Sequence, residues 1–520
     1  MGDLVAHRKL VIAAGVVLVV VITALGVLQL RPEDTAEPVA AARIPPTALE
    51  VTGAFMAAFT SGRTTEAAAL TDDAATAATQ LAAVWQSLAP TSVTANRNTL
   101  VESAEQRFTL TWELGPGRTW SYESALRLVE DGEWRVHWEP ALVHPKLTAG
   151  HNLALRDQAG QAAVLDRDGT PLLEWTATGA TAVAPAAAPV LLPGMGRVVG
   201  TGAWYVALTD GAGKDVAVLH GTRTEALTST VSRPVQQAAQ AAVDAQDLAT
   251  TVVAIQPSTG DLLAVAQNST AGNGPVALQG LYPPGSTFKV ATATALLEAG
   301  ANVNTTVPCP GSTTVDRRTI RNADFELGDV PLRTAFAQSC NTSFAMAAAD
   351  LPLDALPSAA DQLGLGADFV IPGIDTEIGG VPQAADVVQQ VENSIGQGQV
   401  QVSPFGLALM SATVADGSAV TPRLWPTLPT EVTTGYEAPR PGVTGALRTM
   451  MREVVTSGRA TELADLGRVH GKTGTAETAD SAHGWFTGFR DDLAFAVLVE
   501  DAGSSSTAVA VTRTFLTGLG

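Results

Sequence analysis

The stretch Leu281-Tyr282-Pro283-Pro284-Gly285-Ser286-Thr287-Phe288-Lys289-Val290-Ala291-Thr292-Ala293-Thr294-Ala295-Leu296-Leu297 decides the reading of this chain. The prolines near its start and Gly300 beyond its end bracket a helix predicted over residues 286–297. Apolar residues on nearly every side mark that helix as buried. Ser286 and Lys289 stand three apart and so share a face, where an amine can take the hydroxyl proton as the serine attacks a carbonyl. At the helix N-terminus, unpaired backbone N–H groups favour the oxyanion that such an attack creates. A plain N-cap serine beside a solvated lysine is the competing reading, and the apolar surroundings count against it.

The chain has five lysines against twenty-six arginines, and a second lysine falls in Lys472-Thr473-Gly474. Arginine serves nearly everywhere a fixed positive charge would do, so the retained lysines point to amines that must lose a proton. A free lysine titrates near 10.4 and needs help to be neutral at pH 7. A second ammonium about 4 Å away costs roughly 4 kcal/mol at an effective dielectric near 20, enough to bring one amine down by about three pH units. Lys472 is expected to supply that charge from a strand over residues 469–477, the first of three that continue through 484–489 and 493–499. Gly474 would let backbone approach a ligand closely, and Thr473 and Thr475 would hydrogen-bond a carboxylate. Ser339-Cys340-Asn341 lies between these motifs, 53 residues after Ser286 and 133 before Lys472. Taken alone it reads as a turn or cap.

The ordered set, together with Ile395-Gly396-Gln397-Gly398, Lys472-Thr473-Gly474-Thr475-Ala476-Glu477 and Gly484-Trp485-Phe486-Thr487-Gly488-Phe489, resembles the penicillin-binding serine acyl-transferases, and within them the class B penicillin-binding proteins. The resemblance covers residues 235–520. It implies a peptidoglycan D,D-transpeptidase that cross-links stem peptides through a Ser286 acyl-enzyme and is acylated by β-lactams. It also implies Lys289 as base, Ser339 as proton relay, Lys472 setting the local field, and Asn341 meeting the donor amide. Thr473, Gly474 and Thr475 would form the carboxylate-binding segment, with backbone N–H groups of Ser286 and Thr475 as oxyanion hole. No cofactor is implied. Partners would be the D-Ala-D-Ala donor, an amine acceptor, β-lactams, and a lipid-linked glycan polymerase of the division or elongation machinery.

At 520 residues the chain has room for two to four domains, and 46% apolar with 16% charged residues is globular composition. A net charge of −20 argues against nucleic acid. The seven histidines show no metal-ligand spacing. Residues 10–28 carry no charge, follow His7-Arg8-Lys9 and precede Arg31, which predicts a single-pass anchor over residues 10–30 with a cytoplasmic tail of residues 1–9 and an extracytoplasmic body. A cleaved signal peptide is the alternative. Cys309 and Cys340 are the only cysteines, and a disulfide and two buried thiols both remain open.

The fold class expected is α+β and multidomain. Residues 31–44 read as a tether. Residues 45–145, helical to about 87 and then alternating over 106–113, 120–129 and 133–138, form a small α+β domain. With Trp134-Arg135-Val136-His137-Trp138-Glu139-Pro140 it resembles the nuclear transport factor 2-like domain of some class B proteins. Residues 146–234 hold short β-like runs, and Ala163-Val164-Leu165-Asp166-Arg167-Asp168-Gly169 resembles the start of the β-rich dimerisation or pedestal-like region of class B proteins, with Gln161-Ala162 where that family usually has Arg-Gly. Residues 235–520 are expected to hold a five-stranded antiparallel sheet and an all-helical half. A serine β-lactamase is disfavoured by the absence of a Glu followed four on by Asn between Asn341 and Lys472, and by Asn341 itself, where another class has Val or Ile. A β-lactam-sensing receptor and a mainly scaffolding partner of the polymerase are the remaining alternatives.

Overall fold

The computed structural model describes residues 47–98, 104–183 and 189–520. The predicted tail, anchor and tether lie outside these. No helix among the described residues is long and apolar enough to cross a membrane.

The first domain opens on helix Ala48–Thr60, fixed by a reciprocal cap in which Glu50 N donates to Thr47 Oγ1 and Thr47 N donates to the Glu50 carboxylate. Helices Thr64–Ala69 and Ala74–Leu88 follow. A four-stranded antiparallel sheet runs in sequence order, Ser92–Arg97, Glu105–Glu113, Thr119–Asp131 and Glu133–His137. Its first strand, Ser92–Arg97, lacks a clear apolar alternation and is absent from the sequence reading. Phe55, Phe59, Leu81 and Trp112 fill the core between helices and sheet.

Residues beyond 146 divide their apolar side chains between two cores. The sheet of Asn152–Asp157, Trp204–Thr209 and Asp215–Gly221 sends Leu153, Val206 and Leu208 into the core of the first domain. The sheet of Ala162–Leu165, Pro171–Thr176, Gly179–Ala182 and Leu227–Thr228 sends Val164, Leu172 and Trp175 into the C-terminal core.

The C-terminal part holds the expected five-stranded antiparallel sheet, in the order Leu262–Gln267, Thr250–Ile255, Leu493–Val499, Ala482–Arg490, Val469–Glu477. Helices Arg233–Asp244, Pro404–Asp416 and Ser506–Thr517 pack on it. Val469–Glu477 is the edge strand. Its free side faces the helices that carry the other two motifs.

Candidate active site

The element predicted as one helix over 286–297 is two. Residues Gly285–Phe288 form a 3-10 turn, and the α-helix proper is Lys289–Glu298. Pro284 O accepts from both Thr287 N and Thr287 Oγ1, which tightens the turn ahead of the helix. In a 3-10 turn residues three apart eclipse one another, so this departure aligns Ser286 with Lys289 more closely than an α-helix would. Lys289 Nζ lies 3.0 Å from Ser286 Oγ.

Two glycines seat this turn. Gly285, at φ +52°, donates its N–H to Gly396 O at 2.9 Å; a side chain at Gly396 would strike the Gly285 backbone, and one at Gly285 would strike the Thr475 backbone of the edge strand. The Ile395-Gly396-Gln397-Gly398 motif therefore acts as a backing for the serine turn. Gly474 has a related role that corrects the sequence reading. A Cβ there would meet Pro284 O and Thr287, so its missing side chain admits the serine turn against the edge strand rather than a ligand.

Helix Leu332–Ala337 delivers the second motif. Cys340 N donates to Ala335 O and Ser339 N to Phe336 O, the two bonds of a Schellman ending, with Ser339 in the left-handed position at φ +63° that glycine usually takes. This cap presents both the carbonyl and the hydroxyl of Ser339 to Lys289, at 2.8 and 3.3 Å. Asn341 Oδ1 lies 2.6 Å from the same amine, and Asn341 Nδ2 donates to Arg321 O at 2.9 Å, which fixes the amide's orientation. The Ser339 carbonyl and the Asn341 oxygen can only accept, so they occupy both hydrogens of a neutral Lys289. Its lone pair is then left to a hydroxyl, and Ser286 Oγ is the nearer one.

From the sheet side, Lys472 Nζ donates to Ser339 Oγ at 2.9 Å and to Thr473 O at 2.9 Å. Thr475 Oγ1 accepts from Ser505 N at 3.2 Å. Both lysines are fully buried, while Ser286, Ser339 and Asn341 are half-buried and line a groove of about 1170 Å³ with Thr473 and Thr475. The structure thus brings together all eight residues singled out from the sequence.

The electrostatics differ from expectation in cause. Burial is the main force lowering the proton affinity of Lys289 well below the usual lysine value, with the charges of Lys472 and Arg459 adding to it. Burial also brings Lys472 down to about 7, again with Arg459 contributing. Both amines are thus held closer to losing a proton than an ordinary lysine. Arg459 escaped the sequence reading because Gly458-Arg459-Ala460 carries no motif.

Cys309 and Cys340 are joined, with Cα atoms 6.2 Å apart, which resolves the alternative left open by the sequence. The bond ties strand Thr306–Cys309 to the residue following Ser339.

Residues 250–517 match the family described as the penicillin binding protein transpeptidase domain. The chain belongs to that family. Residues 47–151 match the NTF2-like N-terminal transpeptidase domain. Among curated relatives, a peptidoglycan D,D-transpeptidase PbpA of Mycobacterium tuberculosis is 30% identical over 48% of this chain and 61% of its own, and that of Mycolicibacterium smegmatis is 32% identical over 48% and 62%. The chain thus spans about three fifths of the length of these relatives. Solved structures share the fold. Pseudomonas aeruginosa PBP2 in complex with WCK 5153 aligns with TM-score 0.59 and 22% identity over 70% of this chain and 96% of that one. The penicillin G acyl-enzyme of M. tuberculosis penicillin-binding protein A aligns with TM-score 0.55 and 23% identity over 70% and 99%. These matches place the α+β transpeptidase domain and its N-terminal partner on firm family ground.

Proposed function

We propose that this protein is a membrane-anchored peptidoglycan D,D-transpeptidase working through an acyl-enzyme on Ser286. The observation that carries the reading is the continuous line Ser286 Oγ, Lys289 Nζ, Ser339 Oγ, Lys472 Nζ, with successive separations of 3.0, 3.3 and 2.9 Å in the groove. Neutral Lys289 takes the hydroxyl proton as Ser286 Oγ bonds to the penultimate D-Ala carbonyl carbon of a stem peptide. Backbone N–H groups of Ser286 and Thr475 hold the oxyanion, Thr473 and Thr475 hold the terminal carboxylate, and Asn341 meets the donor amide. The C–N bond then breaks, the leaving amine receives a proton through Ser339, and D-Ala departs. An acceptor amine on a neighbouring strand attacks the Ser286 ester, its proton returns by way of Lys289 to Ser286 Oγ, and the cross-link is complete. A β-lactam follows the first half of this course, but its leaving nitrogen stays tethered.

Residues 10–28 support a single-pass anchor with the N-terminus cytoplasmic and the groove outside the cell, and a lipid-linked glycan polymerase is the natural partner. Labelling purified protein with a fluorescent penicillin tests the central claim. Label lost in Ser286→Ala is expected, and label persisting there would overturn the nucleophile. Rapid release of hydrolysed drug would make the protein a β-lactamase instead.

A further inference from the structure

Two arginines that line the groove have no carboxylate partner among the described residues, in a chain with 20 more acidic than basic charges. Their neighbour Arg318 does have one, Glu392 at 2.7 Å. Arg459 is also held in place. Its Nε donates to Gln338 O at 3.2 Å, its backbone N donates to Ala337 O, and its guanidinium carbon lies 4.6 Å from the centre of the Phe325 ring. Phe325 is braced in turn, because Asn322 Nδ2 donates to its carbonyl and reaches both sulfurs of the Cys309–Cys340 bond. A guanidinium stacked on a ring and tied along one edge keeps its outer N–H donors in a fixed plane, which is the geometry that grips a carboxylate by two bonds. Arg321 ends the strand Arg318–Arg321, and its carbonyl accepts from Asn341. Both arginines thus belong to the flank of Ser339 and Asn341, across the groove from Thr473 and Thr475.

Resting on the transpeptidase reading, we propose that Arg459 and Arg321 form a second anion subsite, which selects acyl donors carrying a carboxylate in addition to the terminal one. A donor with a neutral carboxamide at that point offers no charge to pair with, and the difference between a charge-assisted and an ordinary hydrogen bond corresponds to roughly tenfold or more in kcat/KM. Because the Arg459 charge is also felt by Lys289 and Lys472, its removal alters reactivity in general. A ratio between two donors cancels that general effect.

The experiment compares two synthetic peptides ending in D-Ala-D-Ala, identical except for a free carboxylate or the matching carboxamide upstream, by D-Ala release from the full-length protein. The native protein should prefer the carboxylate by about tenfold or more. Arg459→Gln should bring the ratio close to one, Arg321→Gln should reduce it in part, and Arg459→Lys should keep part of it. No preference in the native protein, or an undiminished one in Arg459→Gln and Arg321→Gln, overturns the subsite. Penicillin labelling of the same preparations separates the two claims. Label without preference sinks the subsite alone, and absence of label from the native protein sinks the transpeptidase reading and the subsite with it.

Discussion

In the first domain the largest fully buried side chains are Phe55, Phe59 and Trp112, packed ring against ring, with Phe59 and Trp112 centred 5.8 Å apart. Beside the groove two of the largest fully buried side chains are Lys289 and Lys472. Burying aromatic surface stabilises a fold, whereas burying an amine costs free energy unless it is neutral or fully paired. The first region uses burial for cohesion. The second uses it to hold amines close to losing a proton, and the surrounding sheet and helices must absorb the cost. Substitutions in the two regions should therefore fail in opposite ways.

The sharpest break comes at Lys289. Lys289→Ala should slow penicillin acylation by about a hundred- to ten-thousandfold while leaving the urea midpoint unchanged or higher, since it deletes a base and an unfavourable burial together. A near-normal rate would move the base elsewhere. Phe59→Ala should do the reverse. It should cost about 3–5 kcal/mol in the stability of the first domain and leave the acylation rate of folded protein untouched, as read by paired denaturation and labelling. Slowed acylation in folded Phe59→Ala would mean that the two regions are coupled.

Acidity sharpens the same contrast. Between about 7 and the ordinary lysine value near 10.4, an unfolded Lys472 carries a proton that the folded one has shed. The unfolded state thus binds more protons across that window, and stability of the transpeptidase domain should rise with pH through it, by up to roughly 1.4 kcal/mol per pH unit for one amine. Lys289, also lowered chiefly by burial, adds to the same rise. Lys472→Met should reduce the rise between pH 7.5 and 9.5 in urea titrations, leaving the part due to Lys289. An equal slope in both proteins would show that Lys472 keeps its proton in the fold.

Much of this was readable from the chain because period and punctuation agree with tertiary structure. The strands Val469–Glu477 and Leu493–Val499 coincide with their predicted limits, the second an apolar run that begins after the polar turn Asp491-Asp492. The three motif groups were recognisable because their chemistry restricts residue type. What escaped was set by contacts distant in sequence. Nothing local announces that Gly474 faces Pro284, that Gly396 faces Gly285, or that Arg459 reaches the lysines from the end of helix Pro441–Thr456. The 3-10 start at Gly285 likewise depends on how the turn is held from behind. Residues 146–234 were hardest, since their short strands serve two separate cores and no single pattern describes them.

Ser339 joins the two uses of burial in one residue and gives the smallest effect. It occupies a left-handed helix ending, where any side chain costs roughly 1–2 kcal/mol relative to glycine. Part of that returns to a glycine variant's disadvantage through the greater freedom of its unfolded chain. Ser339→Gly should therefore be more stable than Ser339→Ala by about 1 kcal/mol or less, the net of those two effects. Both variants lose the hydroxyl between Lys289 and Lys472, so both should acylate more slowly by a similar factor. If glycine restored the rate, the backbone turn and not the hydroxyl would be what the chemistry needs. If alanine matched glycine in stability, the left-handed turn would carry no strain, and only the oxygen atom would explain why serine stands where a helix ending favours glycine.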